Sequence, residues 1–318
     1  MPTPLIPLAD ADARAAYGRL WLRSPQRTPF AHLAFADAAC EAFGLRGRIA
    51  AVEGDAGWRG AAIVYEKSAG PVRVSAVPPL AIYSAPILDA PLVPSEAHAG
   101  ESPLDELAAA LAPYQQATWL LPPAFTDARP LAWAGWKLAT RYTYVSSLPV
   151  DPAEWSAAVR RTIRKAEEAY RVEEDPRHAL AAAQLMRGAF ARAGRRFRVP
   201  DEASARIAGG LVDAGLARIF AAVPVGGEEP AAALVAAHNG HTAYYWIVGG
   251  EHGPATTLLM ARALPALAAA GIVEFDWAGA NVASVAEFKR RFGPRLAPVV
   301  RARRVSGPLG LVAGLRGG

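Results

Sequence analysis

The chain has one cysteine in 318 residues. No internal disulfide can form, and a single thiol fits a reducing compartment such as the cytoplasm. Histidine is sparse as well. The six (His32, His98, His178, His238, His241, His252) show no HExxH pair and no Cys/His ligand spacing, so no structural zinc, zinc hydrolase or other metal is expected. Long apolar runs are missing: 52% of the residues are hydrophobic, but much of that share is alanine. No run approaches the roughly 18 residues of a membrane span, and no transmembrane segment is expected. The opening Met1-Pro2-Thr3-Pro4 has neither the basic nor the apolar region of a secretory signal. Charge is nearly balanced at +5, which supports polyanion contact only weakly and gives no reason to expect a DNA partner. Cys40 lies in the alanine-rich pattern Ala36–Phe43, where a small buried hydrophobe fits better than a nucleophile.

What the chain has is length enough for two cores and a repeated order of elements. Asp10–Arg23 and Pro29–Phe43 read as helices, the second closed by Gly44. Arg48–Val52, Ala61–Glu66 and Val72–Val77 read as strands. The proline-rich run Pro78–Pro94 is irregular and cannot be a central strand. Ser102-Pro103 with Asp105 opens a short helix; Ala117–Leu121, Ala128–Ala134 and Leu138–Leu148 follow as strand, helix and strand. Asp151-Pro152-Ala153-Glu154 is a capping box with proline at the first helical position, and predicts a helix over Pro152–Tyr170. Helices at Pro176–Ala193 and Asp201–Ala214 precede strands at Ala217–Val223, Ala231–His238 and Thr242–Val248. The last two are joined by Asn239-Gly240, a strong hairpin signal. Ala255–Ala270 (helix), Ile272–Trp277 (strand), Ala283–Phe292 (helix) and Pro298–Val305 (strand) complete the second half. The expected division is 1–149, 150–305 and a glycine-rich tail, 306–318, that frays or packs back on the first domain.

Several residues carry chemistry. On the helix after Pro152, Trp155, Val159, Ile163, Ala166 and Tyr170 share one face, and Arg160, Arg161, Arg164 and Lys165 the other. The basic side is either a solvated face, with Arg164–Glu168 as an i,i+4 pair, or a phosphate-binding edge. Tyr244 and Trp246 alternate onto one face of their strand, either core or the wall of a cleft. Asp276 ends a buried strand, where it caps the Gly279–Asn281 turn or accepts the proton of an attacking amine. Lys289, beside Phe288 on a short helix, is solvated or stabilises an oxyanion.

Arg160-Arg161-Thr162-Ile163-Arg164-Lys165-Ala166 resembles the R-x-x-I-R-K-A helix of FemAB-like proteins and their acyltransferase relatives. Phe275-Asp276-Trp277-Ala278-Gly279 and Phe288-Lys289-Arg290-Arg291-Phe292-Gly293 resemble that family's F-D-x-x-G and F-K-x-x-F-G signatures. The motifs cover roughly residues 140–303; the first half matches in arrangement only. The resemblance implies an α/β (α+β) fold of two GNAT-like domains in tandem, each a mostly antiparallel mixed sheet flanked by helices. It implies transfer of an acyl group from an acyl-CoA or other acyl-thioester to a small-molecule amine, in the cytoplasm, with no tightly bound cofactor. Asp276 and Lys289 would be catalytic, and Arg160, Arg164, Lys165, Tyr244, Trp246 and Phe288 would contact substrate. Two alternatives stay open: an aminoacyl-tRNA-dependent transferase of the cell-wall type, with tRNA as donor, and a non-catalytic binding protein. Related enzymes cradle the CoA pyrophosphate in a [QR]-x-x-G-x-[GA] loop. Here that place reads Gly250-Glu251-His252-Gly253-Pro254-Ala255, so Gly250, Gly253 and Ala255 are the cofactor-binding candidates. Gly250 replaces the Gln/Arg, Pro254 has no amide proton, and a strand–helix connection without ligand is the competing reading. Acceptor identity and oligomeric state are not encoded in any pattern.

Overall fold

The computed structural model describes residues 4–69, 72–91, 102–251 and 253–306. The tail after Ser306, residues 92–94 of the proline-rich run, His98 and His252 lie outside the described residues. The elements are β1 (Leu5–Pro7), α1 (Ala11–Arg23), α2 (Leu33–Phe43), β2 (Arg46–Gly54), β3 (Gly57–Ala69), β4 (Val72–Ala76), β5 (Ile87–Leu88), α3 (Pro103–Ala110), β6 (Gln116–Leu121), α4 (Arg129–Trp133) and β7 (Lys137–Ser147). They continue as α5 (Ala157–Ala166), β8 (Tyr170–Glu174), α6 (Ala179–Arg192), α7 (Asp201–Asp213), β9 (Ala217–Pro224), β10 (Ala232–His238), β11 (Thr242–Gly250), α8 (Ala255–Ala269), β12 (Glu274–Asp276), α9 (Ala283–Arg290) and β13 (Arg295–Val305). Two compact units form, Met1–Arg141 with Pro298–Gly318, and Tyr142–Ala297.

The first unit is a mixed sheet in the order β1-β2-β3-β4-β6-β13, with β5 added to β3. Its core draws Leu104, Leu107 and Leu111 from α3 and the α3–β6 connection onto Trp119 and Trp136, which stack at 4.7 Å. Ser102 caps α3 as expected, and with Asp105 it closes a capping box that holds two otherwise unpaired amides. One buried acid, Glu66, accepts from Tyr114, Arg73 and Arg48. Burial opposes its ionisation, and these three bonds overcome that and keep it below the usual carboxylate range.

The second unit's sheet runs β7-β12-β11-β10-β9-β8. Its neighbours pair antiparallel except β11 with β12. Asn239-Gly240 makes the β10–β11 turn as its composition predicts: the Asn239 side chain accepts from His241 and Thr242 amides, and Gly240 takes φ +87°. The core gathers Trp155, Val159, Phe275, Trp277, Phe292 and the buried face of α8. Burying each large aromatic contributes about 2–3 kcal/mol.

Two expectations are corrected. The helix predicted over Pro152–Tyr170 is a 3₁₀ turn at Pro152–Glu154 followed by α5, which Ser156 caps and which ends at Ala166. Tyr170–Glu174 is instead a strand along β9, Tyr170 opposite Pro224 and Glu174 opposite Phe220. A tertiary partner won over helical periodicity there. The strand read as completing the second half pairs with β6, Val300 opposite Leu121 through Val305 opposite Gln116. Among the described residues, 298–306 therefore belong to the first unit, because pairing partners distant in sequence leave no local signal.

Candidate active site

The parallel pair β11–β12 is matched over only three residues, Thr242–Tyr244 against Glu274–Asp276. Beyond Tyr244, β11 continues to Gly250 while the other chain turns away through Ala278 (φ +53°) and Gly279 (φ +88°). Among the described residues this leaves the edge of β11 over 245–250 without a strand partner, an open row of backbone donors and acceptors. A bulge shifts the β10–β11 register at the same place: Val235 faces Ile247 and Ala236 faces Tyr245, so Trp246 is the extra residue. The bulge changes which side chains point inward. Ala243 and Tyr245 pack on the α8 side, and after Trp246 the next residue to do so is Val248.

The turn leaving β12 is fixed by side chains from three elements. Thr143 on β7 donates to Asp276 Oδ1 at 2.5 Å and accepts from the Gly279 amide at 3.0 Å. Asp276 Oδ1 also accepts from the Ala278 amide at 2.8 Å. Trp277 donates through its ring to Ser146 Oγ, and its amide to the Tyr144 carbonyl. From α9, Lys289 Nζ donates to the Trp277 carbonyl and, at 3.0 Å each, to those of Ala278 and Gly279. The ammonium also lies 4.7 Å from the centre of the Tyr245 ring. Burial pushes Lys289 down from 10.5 to about 8, against the opposing pull of the Asp276 charge. Burial likewise raises the Tyr245 hydroxyl above its ordinary value.

These contacts correct the roles expected for the two catalytic candidates. Asp276 and Lys289 are brought to one place, but they are 1% and 2% exposed. All three ammonium protons of Lys289 have carbonyl acceptors within the turn, and Asp276 accepts from Thr143 and Ala278. Both residues hold the turn rather than meet solvent. Phe288 is half-buried against Phe292, ring centres 5.4 Å apart. Tyr244 and Trp246 are buried at 4% and 7%, which places them in the core and not on a cleft wall. Arg160 is occupied locally, donating to the carbonyls of Ala153 and Trp155. Arg161, Arg164 and Lys165 are exposed. The Arg164–Glu168 pair does not form among the described residues; Glu167 pairs with Arg262 on α8 instead, at 2.6 Å.

The three motifs turn out to share one packing cluster. Trp155 meets Phe292 at 5.7 Å, Trp277 meets Phe292 at 5.1 Å, and the Ser156 amide donates to the Arg291 carbonyl. Gly293 lies where a Cβ would come 3.3 Å from the Glu154 carbonyl.

At the end of β11 the loop Gly250–Ala255 is tight. A Cβ on Gly250 would stand 2.2 Å from Thr256 Oγ1 and 3.0 Å from Ala232 Cβ, which explains why no long side chain occupies this position. Gly253 takes φ +141°, and Pro254 precedes α8 without a side-chain cap. Among the described residues the amides of Ala255 and Thr256 have no acceptor, while those of Thr257 and Leu258 turn back to the Pro254 carbonyl. Among the described residues the loop thus keeps donors without an acceptor at a helix N-terminus despite its unusual sequence. Among the described residues no group of three or more His, Cys, Asp or Glu side chains could hold a metal, and no helix is long and apolar enough to cross a membrane. Thr143, Ser146, Tyr245 and Arg192 were not anticipated as site residues. Tyr245 falls by plain alternation on the face opposite Tyr244 and Trp246, and Thr143 was hidden by its long separation in sequence from Asp276.

A sheet that splays beside a helix N-terminus, with a bulge opposite the splay, defines a GNAT-type acyltransferase fold. Residues 156–290 match the family model described as an acetyltransferase (GNAT) domain. Among solved structures the chain is similar to FemX, with TM-score 0.69 and 12% identity over 90% of this chain and 95% of that one. It is similar to L-PGS from Bacillus licheniformis (0.56, 12%, 96% of each chain). It is also similar to a tandem GNAT protein from the clavulanic acid biosynthesis pathway (0.54, 14%, 96% of this chain and 99% of that one). At these identities the likeness is one of fold. No curated protein matches the sequence. The match of residues 156–290 to the acetyltransferase (GNAT) domain model and the likeness of fold over the whole chain agree with each other.

Proposed function

We propose that the protein is a cytoplasmic N-acyltransferase that moves an acyl group from an activated donor, an acyl-CoA or another acyl-thioester, to an amine. The observation that carries this reading is the edge of β11 over 245–250, which has no strand partner among the described residues and runs toward the start of α8, where the Ala255 and Thr256 amides have no acceptor among those residues. An extended, amide-bearing donor arm pairs with such an edge as an added strand does. Its phosphates meet the helix N-terminus, and its thioester carbonyl comes to rest at the splay. The amine nitrogen attacks that carbonyl carbon, the new C–N bond forms, the C–S bond breaks, and the thiolate leaves with the proton the amine gives up. Asp276, Thr143 and Lys289 act as positioning residues that hold the turn forming the other wall. We further propose that each compact unit is one GNAT-like domain, with the chemistry in the second.

A second reading, an aminoacyl-tRNA-dependent transferase, draws support from the likeness to FemX and L-PGS. Incubating the purified protein with labelled acetyl-CoA, longer acyl-CoAs and aminoacyl-tRNA against a panel of amines tests both. Label transferred from a thioester supports the first, and transfer only from the tRNA ester supports the second. Neither transfer nor thermal stabilisation by any donor leaves a binding protein.

A further inference from the structure

Helix α6 is pressed onto β11. A Cβ on Gly249 would stand 2.1–2.4 Å from the Leu185 and Met186 backbone, and Arg192, the last residue of α6, donates to the carbonyl of Gly250, the last residue of β11. The segment that follows is therefore tethered at the far end of the open edge. It is also strongly cationic: Arg187, Arg192, Arg195, Arg196 and Arg198 occur without an acid before Asp201. Its conformation is held by contacts that leave the charges outward. Phe197 folds back onto Phe190 with ring centres 5.1 Å apart, the Arg195 amide donates to the Phe190 carbonyl, and the Arg195 guanidinium covers the Phe190 ring at 5.3 Å. Arg187 and the buried Asp201 close the base of the loop at 2.6 Å. That pair neutralises one charge and leaves four. Arg192, Arg195, Arg196 and Arg198 are all exposed, and none has an ion-pair partner among the described residues.

Exposed guanidinium groups held this way, without carboxylate partners, suit phosphate oxygens. We propose that the Arg192–Arg198 loop is a phosphate-binding arm of the donor site, receiving the phosphates of the acyl donor as it lies along β11. This rests on the acyltransfer reading. The shared chemistry is phosphate, carried either by the nucleotide of a thioester donor or by the backbone of an RNA donor.

The test compares the wild-type protein, R195A/R196A/R198A and the charge-matched R161A/R164A/K165A on α5. Binding of coenzyme A and of deacylated tRNA is measured by calorimetry or filter retention at several salt concentrations, and circular dichroism checks that each variant is folded. Each lost phosphate contact weakens binding on the order of tenfold. The loop variant should therefore lose about 100-fold or more toward one of the two probes, and for tRNA the dependence of log K on log salt should fall by about 0.7–0.9 per contact. The α5 variant should stay within about threefold. The probe that responds identifies the donor class. Equal losses in both variants, or none in the loop variant, overturn the inference while leaving the acyltransfer reading in place. A wild-type protein that binds neither probe overturns both.

Discussion

Lys289→Met is the most informative single perturbation. It keeps the length of the side chain and removes the ammonium that serves three carbonyls. Leaving one buried and two partly buried carbonyls unpaired costs about 1–3 kcal/mol each, the two partly buried ones toward the lower end, or roughly 3–7 in all. Against this, the variant no longer buries a charge. Lowering Lys289 from 10.5 to about 8 corresponds to ~3 kcal/mol at about 1.4 kcal/mol per pH unit. The net loss at pH 7 is on the order of 2 kcal/mol, or roughly 4–8 °C in Tm for a unit of this size. The sign with pH follows from linkage. The unfolded chain holds the lysine proton up to about 10.5 and the folded chain only up to about 8, so between those values the unfolded state binds more protons. Wild-type stability therefore gains up to ~3 kcal/mol from this group as pH rises from 8 to 10.5, and loses that gain as pH falls back through 8. The variant lacks it. Urea unfolding of both proteins from pH 7 to 10.5 should show a gap that is flat below 8 and widens above. A variant within about 0.5 kcal/mol of wild type throughout, yet unable to transfer an acyl group, would refute the positioning role and return Lys289 to the substrate.

Gly249→Ala should destabilise by about 3 kcal/mol or more, because the added Cβ meets α6 backbone that has no side chain to move aside. Gly209→Ala, on α7 with nothing within 4 Å, should stabilise by about 0.5–1 kcal/mol; equal effects in thermal melts would contradict the packing. Thr143→Val leaves Asp276 and the Gly279 amide each short of a partner and should cost about 2–4 kcal/mol. Faster hydrogen exchange at Gly279 is the accompanying signature, and unchanged exchange would count against it. The Cys40 thiol, pushed up to about 11 by burial and then by the Asp37 charge, should react with a disulfide reagent at pH 8 roughly 100-fold more slowly than a free thiol. Native and urea-denatured protein labelling at the same rate would be the contrary result.

How much of this was legible in the chain varies with how local each cause is. Caps and turns were readable. Ser102 with Asp105, Asn239-Gly240 and Gly44 each act on amides a few residues away, and their elements formed where expected. The Phe275–Gly279 and Phe288–Gly293 motifs were also legible as a resemblance to a family's signatures, and they do converge with the Arg160 helix through Trp155, Trp277 and Phe292. Their chemistry was not legible. An acid at a strand end and a lysine on a short helix look alike whether they face solvent or each other. Only the 133-residue reach from Thr143 to Asp276, and the three carbonyls around Lys289, settle it.

The sequence by itself determined the class of fold, the elements with local start and stop signals, and the absence of disulfides. Those follow from composition, periodicity and short-range hydrogen bonding. Tertiary structure alone decided that Tyr170–Glu174 is a strand, that 298–305 joins the first unit, and that a bulge at Trp246 turns Val248 rather than Ile247 toward α8. It also decided that Asp276 and Lys289 fasten a turn. Strand pairing and burial are set by partners far away along the chain, and no local pattern encodes the partner that will win.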